Sequence, residues 1–117
     1  MTDHEHTYKI LTAEELARMV VDRSFAGSAD DLRDGFVHLS TSAQIPGTIL
    51  RHFRENTSIF AVQCSVETMA ADLKWEASRG GQLFPHLYRP LSLSDVTLIV
   101  PIPDEREGWA LPTLPSS

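Results

Sequence analysis

The period of the hydrophobic pattern changes along this chain, and that change constrains the fold more than any other feature of the sequence. Residues 8–11 and 59–64 form short apolar runs of strand length, whereas apolar side chains recur at helical spacing between residues 12 and 22. Beyond residue 58 the apolar runs are mostly strand-like. The order strand, helix, strand, helix and then mainly strands favours an α+β fold with a largely antiparallel sheet over a doubly wound parallel sheet.

A capping signal predicts where the first helix begins. Thr12 and Glu15 form a capping box, in which the hydroxyl and the carboxylate each accept a hydrogen bond from a backbone N–H group at the start of a helix. We therefore predict a helix from Thr12 to about Asp22. The apolar residues predicted to face the core are Ala13, Leu16, Ala17, Val20 and Val21. Residues 24–33 are polar and include a glycine, so a loop is predicted there.

A second capping box, formed by Thr41 and Gln44, is followed directly by Pro46 and Gly47. Because proline and glycine interrupt helices, this pattern predicts a broken or kinked helix that ends near Phe53. The remaining apolar segments are predicted to be strands, two of them joined by a Gly-Gly hairpin turn. These predicted strands cover residues 36–40, 59–64, 73–77, 83–88 and 96–100.

The length of 117 residues is that of one domain. Area scaling indicates that a chain of this size buries about two-thirds of its unfolded surface, which is enough for an unaided fold. We expect residues 1–117 to form a single small domain with its core between about residues 8 and 100. The ends, residues 1–6 and 104–117, should be irregular, since the first is polar and prolines interrupt the second.

The charge balance limits the partners that this chain can bind. A net charge of −6 argues against an electrostatic grip on nucleic acid or on an anionic membrane. No apolar run approaches the ~20 residues of a membrane span, and residues 1–9 do not resemble a signal peptide, so a cytoplasmic protein is expected. Cys64 lies in an apolar run without a basic neighbour, which predicts a buried packing residue rather than a catalytic thiol.

The first candidate functional element is His38-x-Ser40. Side chains two apart in a strand lie on the same face, so the imidazole and the hydroxyl should stand side by side. Such a pair can bind a ribose hydroxyl or an amide by directed hydrogen bonds. The alternative is a half-buried structural histidine, with Ser40 or Thr41 capping the next helix.

The second candidate is the segment 75–88, which concentrates polar and aromatic side chains around a predicted hairpin turn. Glu76 and Ser78 should share one face of the first arm, as should His86 and Tyr88 on the second. Backbone N–H groups of a Gly-Gly turn can approach an anion closely, and a neighbouring arginine can bind a phosphate or carboxylate. A plain hairpin with an exposed arginine explains the same letters equally well.

Other reaction classes have weaker support. Dinucleotide and phosphate-binding glycine motifs, CxxC, HExxH and GxSxG are all absent from the sequence. His38 and His86 have no second ligand at metal-binding spacing, so no metal site is predicted. A Ser-His-Asp hydrolase could use Ser40 or Ser78, but neither lies in a nucleophile elbow.

These two elements resemble the motifs of the bacterial family catalogued as domain of unknown function 952. The similar segments are residues 34–41 and 73–91, together with Gln44 and the pair His52 and Phe53. The resemblance covers nearly the whole chain between Tyr8 and about Val100. It implies a fold similar to that of the ADP-ribosyltransferases, a split α+β architecture that holds NAD in a cleft between two small sheets.

The resemblance to ADP-ribosyltransferases of the diphtheria-toxin type implies roles for individual residues. In those enzymes a His-x-Ser/Thr element holds the nicotinamide ribose and carboxamide, a tyrosine stacks on nicotinamide and a glutamate orients the ribose. By similarity His38 and Ser40 are binding residues, and Tyr88 is the candidate stacking residue. Glu76 does not match the position of the family's glutamate, but it is the best carboxylate on offer, so Glu76 and His38 are the candidate catalytic residues. Together with the second candidate element, the predicted ligand-binding set is His38, Ser40, Ser78, Arg79, Gly80, Gly81, His86 and Tyr88.

Three functional hypotheses follow. The first is a site for NAD, ADP-ribose or a related nucleotide, with NAD as a candidate substrate of an ADP-ribosyltransferase-like or NAD-glycohydrolase-like reaction. The second is a non-catalytic ligand-binding or interaction module on the same fold. The third is a hydrolase or metal-dependent enzyme built on His38 and His86. In each case we expect the candidate residues to converge on one cleft.

Overall fold

The computed structural model describes residues 5–55 and 58–103, apart from the side chain of Arg79, and the elements below all lie within these ranges. The strands are β1 (His6–Thr12), β2 (Ser24–Phe25), β3 (Val37–His38), β4 (Ile59–Ser65), β5 (Leu73–Ala77), β6 (Leu83–Leu87), β7 (Leu91–Ser92) and β8 (Val96–Ile102). The α-helices are α1 (Ala13–Asp22), α2 (Ala29–Asp34), α3 (Ile45–His52) and α4 (Val66–Met69). Short 3₁₀ turns cover Ser42–Gln44, Arg79–Gly81 and Leu93–Asp95.

The strands form three separate antiparallel sheets. One has the order β1-β4-β8, the second β3-β6-β5, and the third is the pair β2-β7. A single bridge joins the first two sheets: the backbone N–H groups of Tyr8 and Ser40 each donate to the other residue's carbonyl at 2.8 Å. The structure thus confirms an α+β fold with antiparallel, split sheets.

The central strand β4 is buried on both faces, as its apolar sequence predicts. On one face Val62 and Cys64 pack with Leu11 and Met19 in the larger core cluster. On the other face Ile59 and Ala61 pack against side chains of β1 and α3 in a second cluster. Strand β4 therefore has a core cluster on each of its faces. Within its sheet it pairs with β1 along one edge and with β8 along the other.

Helix α1 begins as predicted, but its inward face is narrower than its sequence suggests. The capping box of Thr12 and Glu15 is formed, with hydrogen bonds of 3.0 and 3.2 Å. Met19 is fully buried, whereas Ala13, Ala17, Val20 and Val21 are exposed, the two valines by 50% and 80%, so the prediction that these four residues face the core was wrong. Each residue turns the helix by about 100°, and packing centred on Met19 therefore rotates them towards solvent.

The predicted loop over residues 24–33 was also wrong, since it contains β2 and most of α2. Helix α2 begins with a capping box in which Asp31 takes the place of the usual glutamate opposite Ser28. The helix ends at Gly35, whose φ of 86° lies in the left-handed region that glycine adopts without strain. The capping box of α2 was not recognised in the sequence, because aspartate stands in place of glutamate and the surrounding stretch is polar.

The other predicted elements are confirmed with small changes of length. The broken helix consists of the Ser42–Gln44 turn followed by α3, with Pro46 in the first turn of the helix. Strand β3 is shorter than predicted, and β8 continues through Pro101 because it is an edge strand. His6, predicted to lie in an irregular end, belongs to β1, while residues 1–4 and 104–117 lie outside the described residues. No helix in the described part of the chain has the length and apolarity of a bilayer crossing.

Cys64 is expected to resist thiol reagents in the folded protein. It is fully buried in β4, and burial raises its pKa to about 12, so almost no thiolate exists at neutral pH. Labelling with a thiol-reactive disulfide reagent at pH 8 should be complete in concentrated urea and negligible without it. Rapid labelling of the folded protein would show that the packing around β4 is not as described.

Candidate functional site

A cleft of about 830 Å³ is lined by residues of β1, β3 and β6 together with helices α1, α2 and α3. Its volume lies within the range of small-molecule sites, ~300–1,000 Å³. Side chains of the β3-β6-β5 sheet that line it include His38, Phe84 and His86, and Ser40, two residues after His38, lines it as well. Antiparallel pairing places His38 directly opposite His86, which brings together residues that are distant in sequence.

His38 is held by three contacts with two carboxylates. Its backbone N–H donates to Oδ1 of Asp31 at 3.0 Å, and its Nδ1 lies 2.6 Å from the same oxygen. Its Nε2 lies 3.0 Å from Oδ2 of Asp34. Carboxylate oxygens only accept hydrogen bonds, so a ring nitrogen of His38 that is hydrogen-bonded to one of these carboxylates is the donor.

Asp31 is the buried centre of this arrangement. Its side chain is 1% exposed, and Oδ2 accepts from Nζ of Lys9 at 2.9 Å, while Lys9 also donates to the carbonyl of His38 at 3.0 Å. Burial alone would raise the pKa of Asp31, but the hydrogen bonds from His38 and Lys9 and the charge of Lys9 outweigh it and hold the pKa far below its usual value. Asp31 is therefore a buried carboxylate anion that fixes the imidazole.

Gly27 makes room for this carboxylate. Its φ of 134° is rarely adopted by other residues, and a Cβ atom built at this position would lie 2.7 Å from Cβ of Asp31. The next residue, Ser28, donates its backbone N–H to Oδ2 of Asp31 at 2.9 Å. The loop before α2 is thus shaped around Asp31.

His86 is anchored by a separate carboxylate. Its Nδ1 lies 2.9 Å from Oε1 of Glu76, which also accepts from the Tyr88 hydroxyl at 2.6 Å. The hydrogen bonds from Tyr88 and His86 lower the pKa of Glu76, and the bond to Glu76 raises the pKa of Tyr88. The ring of Phe36 stacks on His86 with centroids 4.0 Å apart.

The two imidazoles therefore stand next to each other, each bound to a carboxylate through Nδ1. Their ring centroids are 5.5 Å apart with the rings edge to face, and Phe36 contacts both. Two oriented imidazoles beside a solvent-filled cleft can bind oxygen atoms of a ligand and can exchange protons with it.

The structure brings some of the sequence-predicted residues into the cleft and leaves others outside it. Ser40 and Ser78 line the cleft, and the Ser40 hydroxyl is hydrogen-bonded to Thr48 at 2.8 Å. Glu76 contacts His86, and Tyr88 contacts Glu76, but neither of them lines the cleft. Convergence is thus direct for His38, Ser40, Ser78 and His86 and indirect for Glu76 and Tyr88.

The hairpin turn is separated from this group. Gly80 and Gly81 are exposed and do not line the cleft, and the N–H of Gly81 donates to the carbonyl of Ser78 at 3.0 Å within the turn. The side chain of Arg79, also predicted to bind ligand, lies outside the described part of the structure. Within residues 5–55 and 58–103 no three His, Cys, Asp or Glu side chains are placed to hold a metal ion.

Sequence reasoning missed the charged residues that line the cleft. Lys9 and Asp31 form its buried ion pair, and Arg18 and Arg51 are exposed residues that line it. A lysine inside the apolar run of residues 8–11 was the available signal for Lys9, since lysine is almost never buried unless it is paired. Nothing in the sequence pattern places Arg18 and Arg51 beside the same cleft.

Replacing Lys9 should destabilise the protein strongly. Lys9→Met leaves Asp31 buried with one cation fewer, which should reduce the free energy of unfolding by about 3–5 kcal/mol. Lys74→Met is the matched control, because that lysine lies over the exposed ring of Tyr88 and should contribute less than about 1 kcal/mol. Urea unfolding monitored by circular dichroism measures both, and equal stability of the two variants would contradict the role given to the buried pair.

The pH dependence of the wild-type protein should show the same pair. Because the pKa of Asp31 is depressed in the folded state, its stabilising contribution is present above its unfolded pKa of about 4. That contribution is lost only as the pH falls towards the lower folded value. The stability difference between wild type and Lys9→Met should therefore be largest near neutral pH and shrink in acid.

Comparison with known proteins agrees with the motif resemblance. Two crystal structures of protein CC0527 from Caulobacter crescentus, one of them a double mutant, are 44% and 45% identical to this chain. Each superposes with a TM-score of 0.79 and covers 83% of this chain and 85% of its own. The solution NMR structure of CC0527 is 44% identical over 84% of both chains, with a TM-score of 0.74.

A search of curated proteins finds no match. The family model described as "Protein of unknown function (DUF952)" matches residues 10–99. That span includes both motifs and all the cleft residues of β3 and β6. The chain belongs to the DUF952 family.

Proposed function

We propose that the cleft binds a nucleotide-like small molecule of the NAD or ADP-ribose type, on an architecture like that of the ADP-ribosyltransferases. The observation that carries the proposal is the pair of imidazoles, His38 and His86, fixed side by side at a cleft large enough for such a ligand. Ser40 and Ser78 line the same cleft and add hydroxyl groups. These groups suit a ligand rich in hydroxyl, amide and phosphate oxygens.

Two guanidinium groups of the cleft support a phosphate-bearing ligand, although carboxylates also line it, among them Glu14, Glu15 and Asp30. Lys9 is neutralised by Asp31, and Arg33 forms ion pairs with Asp30 and Asp34. Within the described part of the chain Arg18 and Arg51 make no ion pair, so these two cleft guanidinium groups are available to a phosphate. The overall charge of −6 does not oppose this, because salt screens distant charges beyond about 8 Å.

The position of Glu76 favours binding over glycosidic cleavage. Breaking a nicotinamide–ribose bond builds positive charge on the sugar, which calls for a carboxylate beside it. Glu76 is instead hydrogen-bonded to Tyr88 and His86 and does not line the cleft. This argues against Glu76 as the carboxylate of a glycosidic cleavage and gives it the role of orienting His86, as in the non-catalytic alternative for NAD.

Calorimetric titration with ADP-ribose and NAD tests the proposal. Wild type should bind, and His38→Ala should lose about 1–3 kcal/mol of binding free energy, about 5- to 150-fold in affinity, because a directed hydrogen bond is removed. Arg18→Gln and Arg51→Gln should weaken binding of ADP-ribose but not of nicotinamide riboside, which has no phosphate. Arg54→Gln is the matched control, since this exposed arginine does not line the cleft.

Circular dichroism checks that each variant is folded. If His38→Ala does not fold, His38→Asn is measured in its place. The proposal fails if wild type binds neither nucleotide at millimolar concentration. It fails equally if the cleft variants and Arg54→Gln bind with the same affinity. Release of nicotinamide from NAD by the wild type would favour the glycohydrolase-like hypothesis over pure binding.

A further inference from the structure

We propose that His38 and His86 act as a general acid and a general base that hydrolyse a nucleoside phosphodiester with an alkoxide leaving group, such as a nucleoside cyclic phosphate. The inference rests on the proposed function, because it requires a nucleotide in the same cleft. It goes further in assigning a reaction to the paired imidazoles. The two histidines differ in their hydrogen-bond partners, and this difference determines which is the acid and which the base.

His86 has the arrangement of a general base. Glu76 can only accept, so Nδ1 of His86 carries the proton of their 2.9 Å hydrogen bond, and Nε2 of the neutral ring holds a lone pair. In the described part of the chain, Thr7 Oγ1 is the buried side-chain polar atom that lacks a partner. Nε2 of His86 has no hydrogen-bond partner in the described part of the chain, and His86 is a lining residue of the cleft. A carboxylate that fixes the tautomer in this way leaves Nε2 ready to accept a proton.

His38 has the arrangement of a general acid. Both of its ring nitrogens face carboxylate oxygens, and in the acid form of the ring each of them carries a proton. Asp31 is buried and holds Nδ1 firmly, whereas the side chain of Asp34 at Nε2 is 33% exposed and belongs to the end of α2. A ligand oxygen can displace Asp34 from Nε2 and receive the proton.

The need for an acid indicates the class of bond. Nicotinamide leaves its ribose as a neutral molecule and requires no proton, so a second imidazole would be idle in glycosidic cleavage. An alkoxide is a strongly basic leaving group, and proton donation to it is where general acid catalysis contributes most. Arg18 and Arg51 at the same cleft supply cations for the charge that develops on the phosphoryl oxygens.

The reaction balances without any further reactant than water. Nε2 of His86 takes a proton from water as the water oxygen forms a bond to phosphorus. The bond from phosphorus to the ester oxygen breaks, its electron pair stays on that oxygen, and the oxygen takes the proton from Nε2 of His38. The products are a phosphomonoester and an alcohol, and solvent returns a proton to His38 and removes one from His86.

Hydrolysis of two esters tests these assignments. Adenosine 2′,3′-cyclic phosphate has an alkoxide leaving group, whereas thymidine 5′-p-nitrophenyl phosphate releases a phenolate that needs no acid. We expect wild type to hydrolyse both esters. Phosphorus NMR measures hydrolysis of the cyclic phosphate, and absorbance measures release of p-nitrophenolate. His86→Asn should lose about 100-fold or more on both esters, because each needs the base. His38→Asn should lose as much on the cyclic phosphate but less than about 10-fold on the aryl ester.

His6→Asn is the matched control, since this histidine lies in β1 and does not line the cleft. It should hydrolyse both esters like wild type. Circular dichroism on every variant shows that the fold is intact, and His→Gln variants replace any that do not fold. Rates are compared at saturating ester, because His38→Asn is also expected to weaken binding in the cleft.

Three outcomes would overturn the inference. Wild type that binds ADP-ribose but hydrolyses neither ester refutes the chemistry and leaves the proposed function standing, whereas absence of nucleotide binding refutes the proposed function itself. Equal losses of His38→Asn on both esters refute its role as the acid. Unchanged rates in His86→Asn and His38→Asn assign the hydrolysis to a contaminant.

Discussion

The buried ion pair between Lys9 and Asp31 is the interaction on which the site depends. Lys9 is in the middle of β1, and Asp31 is in α2, so the pair ties the first sheet to the loop and helix that precede β3. Through Asp31 it also fixes the backbone and ring of His38. Burying two charges costs several kcal/mol per ion, which their attraction offsets only when the remaining hydrogen bonds are made as well. Here the Ser28 N–H donates to Asp31, and Gly27 leaves room for the Asp31 side chain. Such arrangements are typical of functional sites.

The cleft follows from the way in which two sheets meet. In the described part of the chain a bridge between Tyr8 and Ser40 joins them, and α1, α2 and α3 supply much of the lining. The face of β3 and β6 that carries His38 and His86 lines the cleft, while their other face, with Val37 and Leu87, is buried in the core. One pair of strands thus supplies both the core and the site.

Local patterns in the sequence predicted much of the fold and part of the site. Capping boxes and the period of the hydrophobic pattern predicted α1, β1, β4 and the β5-β6 hairpin. Alternation along the strands predicted that His38 lies on the same face as Ser40, and His86 on the same face as Tyr88. The pair Lys9 and Asp31 could not be predicted, because it joins elements 22 residues apart and depends on tertiary packing. In the register of the hairpin Glu76 lies opposite Phe84, yet the Glu76 carboxylate reaches diagonally to His86. This contact depends on the side-chain rotamer of Glu76, which the sequence does not determine.

The most direct measurement of whether this cleft is the ligand site is NMR of the histidine ring nitrogens during titration with ADP-ribose. In the free protein Nδ1 should carry a proton in both His38 and His86, since each donates to a carboxylate. Saturating ADP-ribose should shift the ring signals of His38 and His86 and leave those of His6 unchanged. Ring signals of His38 and His86 that do not move while ADP-ribose binds elsewhere would contradict the assignment of the site to this cleft.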